Sequence, residues 1–216
     1  MIGTTLFGAS YSVYVRIVRL VLAELGIAYA LSEVDIFAKD GVPVDYLERH
    51  PFGRIPAFEH DGFRLFETDA IVFYLVEHFG GEALLASEAQ MRARMRQIMR
   101  IMDNYAYRAL VWGIYVEETE HARSGRLAPD ELERAAQCLR VLDDLSGPAF
   151  FVGAQCTLAD LWVFPMLAYL RLAPSGAVLL RGHRNLVAWL ERMDDRPSVQ
   201  ATRFPAERTG AVPTQS

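Results

Sequence analysis

The chain is short of the residues that would mark an extracellular, membrane or nucleic-acid-binding protein. It has two cysteines in 216 residues, Cys138 and Cys156, too few for a disulfide framework and at no metal or redox spacing. A reduced, cytoplasmic chain without a metal is expected. Lysine is scarce beside arginine, there is no basic block, and a net charge of −5 with a pI near 5.6 argues against a nucleic-acid partner. No positive region precedes an apolar core at the N-terminus, so no secretory leader is expected. The longest apolar run, Leu161 to Leu170, holds Pro165 and is about half the length of a spanning helix, which excludes a membrane segment. What remains is 52% hydrophobic and 23% charged, the composition of a globular protein with one large or two modest domains.

The pattern divides the chain into two halves. Thr4 to Phe7 reads as a strand. From Val13 to Leu25 apolar residues recur at helical spacing, with Gly26 as the stop, and Ile27 to Val34 reads as a second strand. These two strands are expected to be parallel with a right-handed crossover. Asp40 to His50 is irregular or a short helix. Ala57-Phe58 and Phe63 to Phe66 flank Asp61-Gly62, which tolerates the positive backbone angles of a two-residue hairpin. Ile55-Pro56, just before the first of these strands, is a candidate cis peptide. Thr68 is placed to cap a helix from Asp69 to about His78, ended by Gly80. The order βαβ then ββα is thioredoxin-like.

After a small-residue linker from Gly80 to Ser87 the sequence turns helical. Glu88 to about Ala122 carries an apolar stripe of Met91, Met95, Ile98, Met99, Met102, Tyr105 and Leu110, read as core or dimer packing. Ser124 to Pro129 is a loop, Pro129 to Leu145 a second helix, and Leu186 to Met193 another. Thr157 and Asp160 stand three apart, as a capping box requires, which makes Asp160 a folding element rather than a general base. The tail after Pro205 is expected to be mobile. The fold class is therefore an α/β thioredoxin-like N-terminal domain (1–80), a linker (81–88) and an all-α C-terminal domain (89–216).

Two places could hold charge. The turn from Gly8 to Ser12 opens onto a helix N-terminus, which favours an anion by about 0.3 to 1 kcal/mol and suits a thiolate. The helix start at Glu67-Thr68 offers free N–H groups to a carboxylate. Each feature alone is ordinary.

Their order resembles the cytosolic glutathione transferase superfamily. Pro-Phe-Gly-Arg-Ile-Pro (51–56), leading through a hairpin to Glu67-Thr68, is similar to the family's Pro-Phe-Gly-x-Val/Ile-Pro segment and its Glu-Ser. Ser12 to Gly26 resembles the serine-containing first helix of the tau, phi and zeta types, and counting back from Val18-Arg19 puts Ser12 at their catalytic serine. Phe151 to Asp160 resembles the Gly-x-x-x-Ser/Thr-x-x-Asp motif, and Arg196 to Thr202 the closing segment. The resemblance runs from Thr4 to about Phe204, with phi as the nearest type.

It implies glutathione as co-substrate, a homodimer, and a detoxifying transferase that uses a glutathione thiolate against a small hydrophobic electrophile. The alternative is a non-catalytic, glutathione-transferase-like module that binds ligands or proteins. Ser12 is implied to activate the thiol, with Ser10, Tyr11 and Tyr14 as rival hydroxyls; no cysteine stands in this loop to form a mixed disulfide. Ile55, before Pro56, is implied to pair with the cysteinyl backbone, and Glu67 and Thr68 to hold the γ-glutamyl end. Gly41 and Val42 stand where phi-type relatives carry a basic pair for the glycyl carboxylate, leaving displaced Lys39 or Arg54 to supply charge. An electrophile pocket between the domains is implied, lined by Ser10, Tyr11 and Tyr14 with Tyr105, Arg108, Leu110, Trp112 and Tyr115.

Overall fold

The structure, a computed structural model, describes residues 3–39, 41–121 and 127–209. The chain forms two compact units, one running to Glu82 and joined by Ala201–Pro205, the other Ala83–Gln200 with the chain from Ala206 on. The return of residues 201–205 to the first unit has no local signal in the sequence.

In the first unit β1 (Thr4–Phe7), α1 (Val13–Glu24), β2 (Ala30–Ser32), the short α2 (Val44–Leu47), β3 (Ala57–His60), β4 (Phe63–Phe66) and α3 (Thr68–Phe79) follow in order. The sheet runs β2-β1-β3-β4, with β1 and β2 parallel and the other pairs antiparallel. This is the expected βαβ–ββα arrangement. The hairpin forms because Asp61 and Gly62 both take positive φ, 49° and 85°, as a type I′ turn requires. Ile17, Val18, Val21 and Leu22 of α1 and Ile71, Val72, Leu75 and Val76 of α3 are fully buried where the two helices pack. Val15, Arg16 and Leu20 are buried as well. The amphipathic pattern does not foretell this: Phe204 closes the second face, with the Arg16 guanidinium 4.2 Å above its ring.

Two boundaries differ from expectation. β2 is three residues long rather than eight, because Ile27 N–H still bonds to Leu22 O at the helix exit and Glu33 and Asp35 turn toward the loop after β1. Glu67, not Thr68, is the N-cap of α3: its carbonyl accepts Ile71 N–H at 3.0 Å, and Thr68 is the first helical residue. Gly80 ends the helix in the left-handed conformation, as expected.

In the second unit α4 (Ala89–Ile101) continues into a π-helical segment (Met102–Glu120), within the stretch expected to be one long helical segment. At its end His121 N–H reaches back five residues to Val116 O. Of the predicted stripe, Met95, Ile98, Met99, Met102 and Leu110 are buried, while Met91 and Tyr105 are exposed. α5 (Pro129–Leu145), α6 (Leu158–Leu170), α7 (Pro174–Arg181) and α8 (Arg184–Asp194) follow, then α9 (Pro197–Ala201) and α10 (Pro205–Thr209). Residues 124–126 of the loop expected at Ser124 to Pro129 lie outside the described residues.

α6 is buried along its whole length and organised by Asp160. One carboxylate oxygen accepts Phe151 N–H at 2.9 Å and Trp189 Nε1–H at 2.8 Å; the other accepts Thr157 N–H at 2.8 Å and the Thr157 hydroxyl at 3.0 Å. The segment after Pro205, expected to be mobile, is helical to Thr209, since Arg171 joins Glu207 to Asp194 at 3.1 and 2.9 Å. Among the described residues no helix is long and apolar enough to cross a membrane.

Candidate functional site

The register of the sheet decides which segments meet. Ser32, Phe7, Ala57 and Phe66 lie side by side across four adjacent strands. The chain leaving or entering the sheet beyond each of them is therefore the segment from Glu33, the loop from Gly8 to Ser12, the Ile55-Pro56 turn, and Glu67-Thr68. Four strands at about 4.8 Å spacing make a row of roughly 15 Å, the scale of an extended tripeptide with its side chains. Gly8 draws two of these segments together. At φ 151°, a Cβ there would stand 2.4 Å from Val15 Cγ2 and 3.3 Å from Ile55 Cβ, so only glycine lets the loop lie this close to Ile55.

Within the loop Ser12 is the N-cap of α1, its Oγ accepting Val15 N–H at 3.4 Å. A hydroxyl that accepts keeps its own proton to donate. The rival hydroxyls are placed differently. Tyr11 donates to Asp35 Oδ1 at 2.7 Å, and Ser10 N–H donates to Glu33 Oε2 at 3.1 Å. Tyr14 is half-buried on the first turn of α1.

The peptide Ile55-Pro56 is cis. The turn is held from beneath by Tyr46, whose buried hydroxyl donates to Arg54 O at 2.6 Å. Glu67 takes φ 72°, uncommon for a side-chain-bearing residue, and its side chain makes no capping bond; in the first turn of α3 Ala70 N–H donates to Asp69 Oδ1 at 2.9 Å. Thr68 is 8% exposed.

Sequence reasoning missed His50, which is 2% exposed between Tyr46, Phe52 and Phe66. Burial lowers its pKa, Glu67 opposes this and Arg54 adds to it. The unfolded imidazole protonates near its ordinary 6.5 while the folded one resists, so the unfolded chain binds more protons and stability falls as pH drops below that value. His50→Asn is expected to flatten the stability curve between about pH 7 and 5; a parent curve no steeper than the variant's contradicts the assignment.

Gly41 and Val42 bring no charge to the segment before α2. Lys39 and Arg54 are both exposed. In the helical unit Ile101, Tyr105, Arg108, Trp112 and Cys138 line a groove of about 790 Å³ between the π segment and α5. Leu110 and Tyr115 lie outside it. Leu110 is fully buried, and Tyr115 is buried against Tyr169 at 4.4 Å, where burial pushes its phenol up to about 12.

Residues 6–83 match the glutathione S-transferase N-terminal domain and residues 117–192 the C-terminal domain. A relative from Oryza sativa subsp. japonica, named probable glutathione S-transferase GSTF1, is 30% identical over 209 residues, covering 93% of this chain and 95% of its own. This chain belongs to the glutathione S-transferase family. The fold agrees: glutathione transferase F7 from Populus trichocarpa superposes on this transferase with a TM-score of 0.78 at 25% identity, over 92% of this chain and 97% of that one. The transferase is also similar to a stringent starvation protein A homolog from Histophilus somni, 28% identical over 90% of this chain and 87% of that protein.

Proposed function

We propose that this chain binds glutathione along the row of segments at the sheet end and activates its thiol as a thiolate for attack on a small hydrophobic electrophile. The observation that carries this reading is the register Ser32–Phe7–Ala57–Phe66, which sets a hydroxyl, a backbone turn and a helix start side by side. Ile55 offers its backbone to the cysteinyl residue as an added strand would. Glu67 and Thr68, with the α3 amides, hold the γ-glutamyl end, the carboxylate facing the helix N-terminus. Ser12 donates a hydrogen bond from its hydroxyl to the sulfur anion. The thiol proton leaves to solvent, and sulfur supplies the electron pair for the new bond. The electrophile either loses its leaving group with the old bonding pair or, in an addition, breaks a π bond whose electrons take a proton from solvent.

Arg54 and Lys39 provide charge at the glycyl end, more weakly than a basic pair at Gly41 and Val42 would. For the electrophile, the first unit offers the half-buried rings of Tyr11 and Tyr14 with the Ser10 hydroxyl; the second unit offers Tyr105, Arg108 and Trp112 of its groove, with Tyr115 buried in its core. As in the family, the chain acts as a cytoplasmic homodimer.

Calorimetric titration tests the reading. Glutathione is expected to bind, with a loss of about tenfold or more in Thr68→Val, because a hydrogen bond to a charged group is worth about 1.5 to 3 kcal/mol. γ-Glutamylcysteine, which lacks the glycine, is expected to bind within about threefold of glutathione, since exposed charge contributes little. No heat of binding from glutathione would leave the non-catalytic module as the better account.

A further inference from the structure

The loop after β1 presents two hydroxyls of the kind that activates sulfur in adjacent residues, Tyr11 and Ser12, and the structure treats them differently. Tyr11 donates its phenolic proton to Asp35 Oδ1 at 2.7 Å, and the same oxygen accepts Phe37 N–H at 2.9 Å. The Tyr11 and Phe37 rings stack with centroids 6.2 Å apart and planes at 28°. Asp35 is thus pinned by the backbone of its own segment and grips the neighbouring loop, while Glu33, two residues before it, holds Ser10 N–H at 3.1 Å. A phenol has one proton, and an O–H bond to a carboxylate belongs to the strong class. Ser12 accepts from Val15 N–H instead, so its proton stays available.

We propose that Asp35 is a positioning residue that reserves sulfur activation to Ser12 by holding the Tyr11 proton. This rests on the glutathione reading given above. Without Asp35 the Tyr11 hydroxyl loses the carboxylate that holds its proton, and that proton can be turned to a sulfur anion bound at the loop. Asparagine at 35 keeps an oxygen that accepts from both Tyr11 and Phe37, so it preserves the reservation, whereas alanine abolishes it.

The test reads the ultraviolet thiolate band of saturating glutathione, with calorimetry on each protein in parallel and circular dichroism to confirm folding. Ser12→Ala is expected to lose about tenfold in thiolate at neutral pH, the effect of one unit of pKa. Ser12→Ala with Asp35→Ala is expected to recover at least about threefold of this through the Tyr11 hydroxyl. Adding Tyr11→Phe removes the recovery, and Ser12→Ala with Asp35→Asn shows none.

The proposal is overturned if the Ser12→Ala, Asp35→Ala protein binds glutathione yet forms no more thiolate than Ser12→Ala. Recovery with Asp35→Asn equal to that with Asp35→Ala also overturns it, because removal of a charge is then the cause. Should alanine at 35 prevent folding, Ser12→Ala with Asp35→Gly is read in its place, and thiolate no greater than in Ser12→Ala alone overturns the proposal. A parent that does not bind glutathione overturns the underlying reading and this proposal with it, an outcome that the parent's calorimetry identifies separately.

Discussion

Ser12→Ala is expected to raise the thiol pKa of bound glutathione by about one to two units, because a hydrogen bond to a charged group is worth about 1.5 to 3 kcal/mol. The thiol then titrates near its ordinary value of about 8.5. At neutral pH the thiolate fraction, and kcat/KM with it, falls by about eight- to twenty-fivefold. KM for glutathione changes little, since the proposed contacts of Ile55, Glu67 and Thr68 remain.

The same substitution removes the cap of α1, where Ser12 Oγ accepts Val15 N–H, at a cost of about 0.5 to 2 kcal/mol. Loss of activity and loss of stability therefore arrive together in alanine and must be separated. Glycine separates them: it caps within a few tenths of a kcal/mol of serine and has no hydroxyl. Ser12→Gly is expected to melt near the parent and to be as inactive as Ser12→Ala. A Ser12→Gly protein that retains parental activity would show that serine is only a cap.

Asp160→Ala is expected to cause the largest stability loss in the chain and no change in chemistry. The carboxylate is fully buried and satisfies Phe151 N–H, Thr157 N–H, the Thr157 hydroxyl and Trp189 Nε1–H. The hydroxyl can rotate to another acceptor. The two backbone amides and the indole cannot, and each unsatisfied buried donor costs about 1 to 3 kcal/mol. A total of about 3 to 5 kcal/mol follows, in line with removing one partner from a buried charged network. For a chain of this size that lowers Tm by roughly 10 °C, at about 2 to 4 °C per kcal/mol.

Asp160→Asn keeps one oxygen for Phe151 and Trp189 but turns an NH₂ group toward the Thr157 donors, so it falls between the two. Below its melting point Asp160→Ala should form glutathione thiolate as the parent does. A Tm within about 3 °C of the parent would show that the network is not the keystone of α6.

Some of this was legible because it is local. Asp61-Gly62 can be read as a hairpin from two residues that tolerate positive φ, and Thr157 with Asp160 as a cap from their spacing alone. The Ser12 N-cap stands directly before a helical apolar pattern. Pro174, at the first position of α7, is an equally local signal of a helix start.

What was not legible has two physical causes. One is conformation against propensity: a threonine is a commoner cap than a glutamate, yet Glu67 takes φ 72° and displaces the boundary by a residue. The other is distance along the chain. The Tyr11–Asp35 bond spans 24 residues, and Phe204 returns to Arg16 from the far end of the sequence. No window of neighbouring residues contains either. His50 belongs to the same class, since its burial is made by Tyr46, Phe52 and Phe66 together. The register that aligns the candidate site follows from the hairpin and the parallel crossover, but which four segments share one end of the sheet emerges only when the strands are paired.

The central claim is that this chain holds glutathione as a thiolate, and the direct measurement is the ultraviolet thiolate band of the saturated glutathione complex followed as pH is raised. The expected curve has its midpoint about one to two units below the ordinary thiol value of about 8.5. A band that rises only with free glutathione, unshifted at full saturation, contradicts the claim.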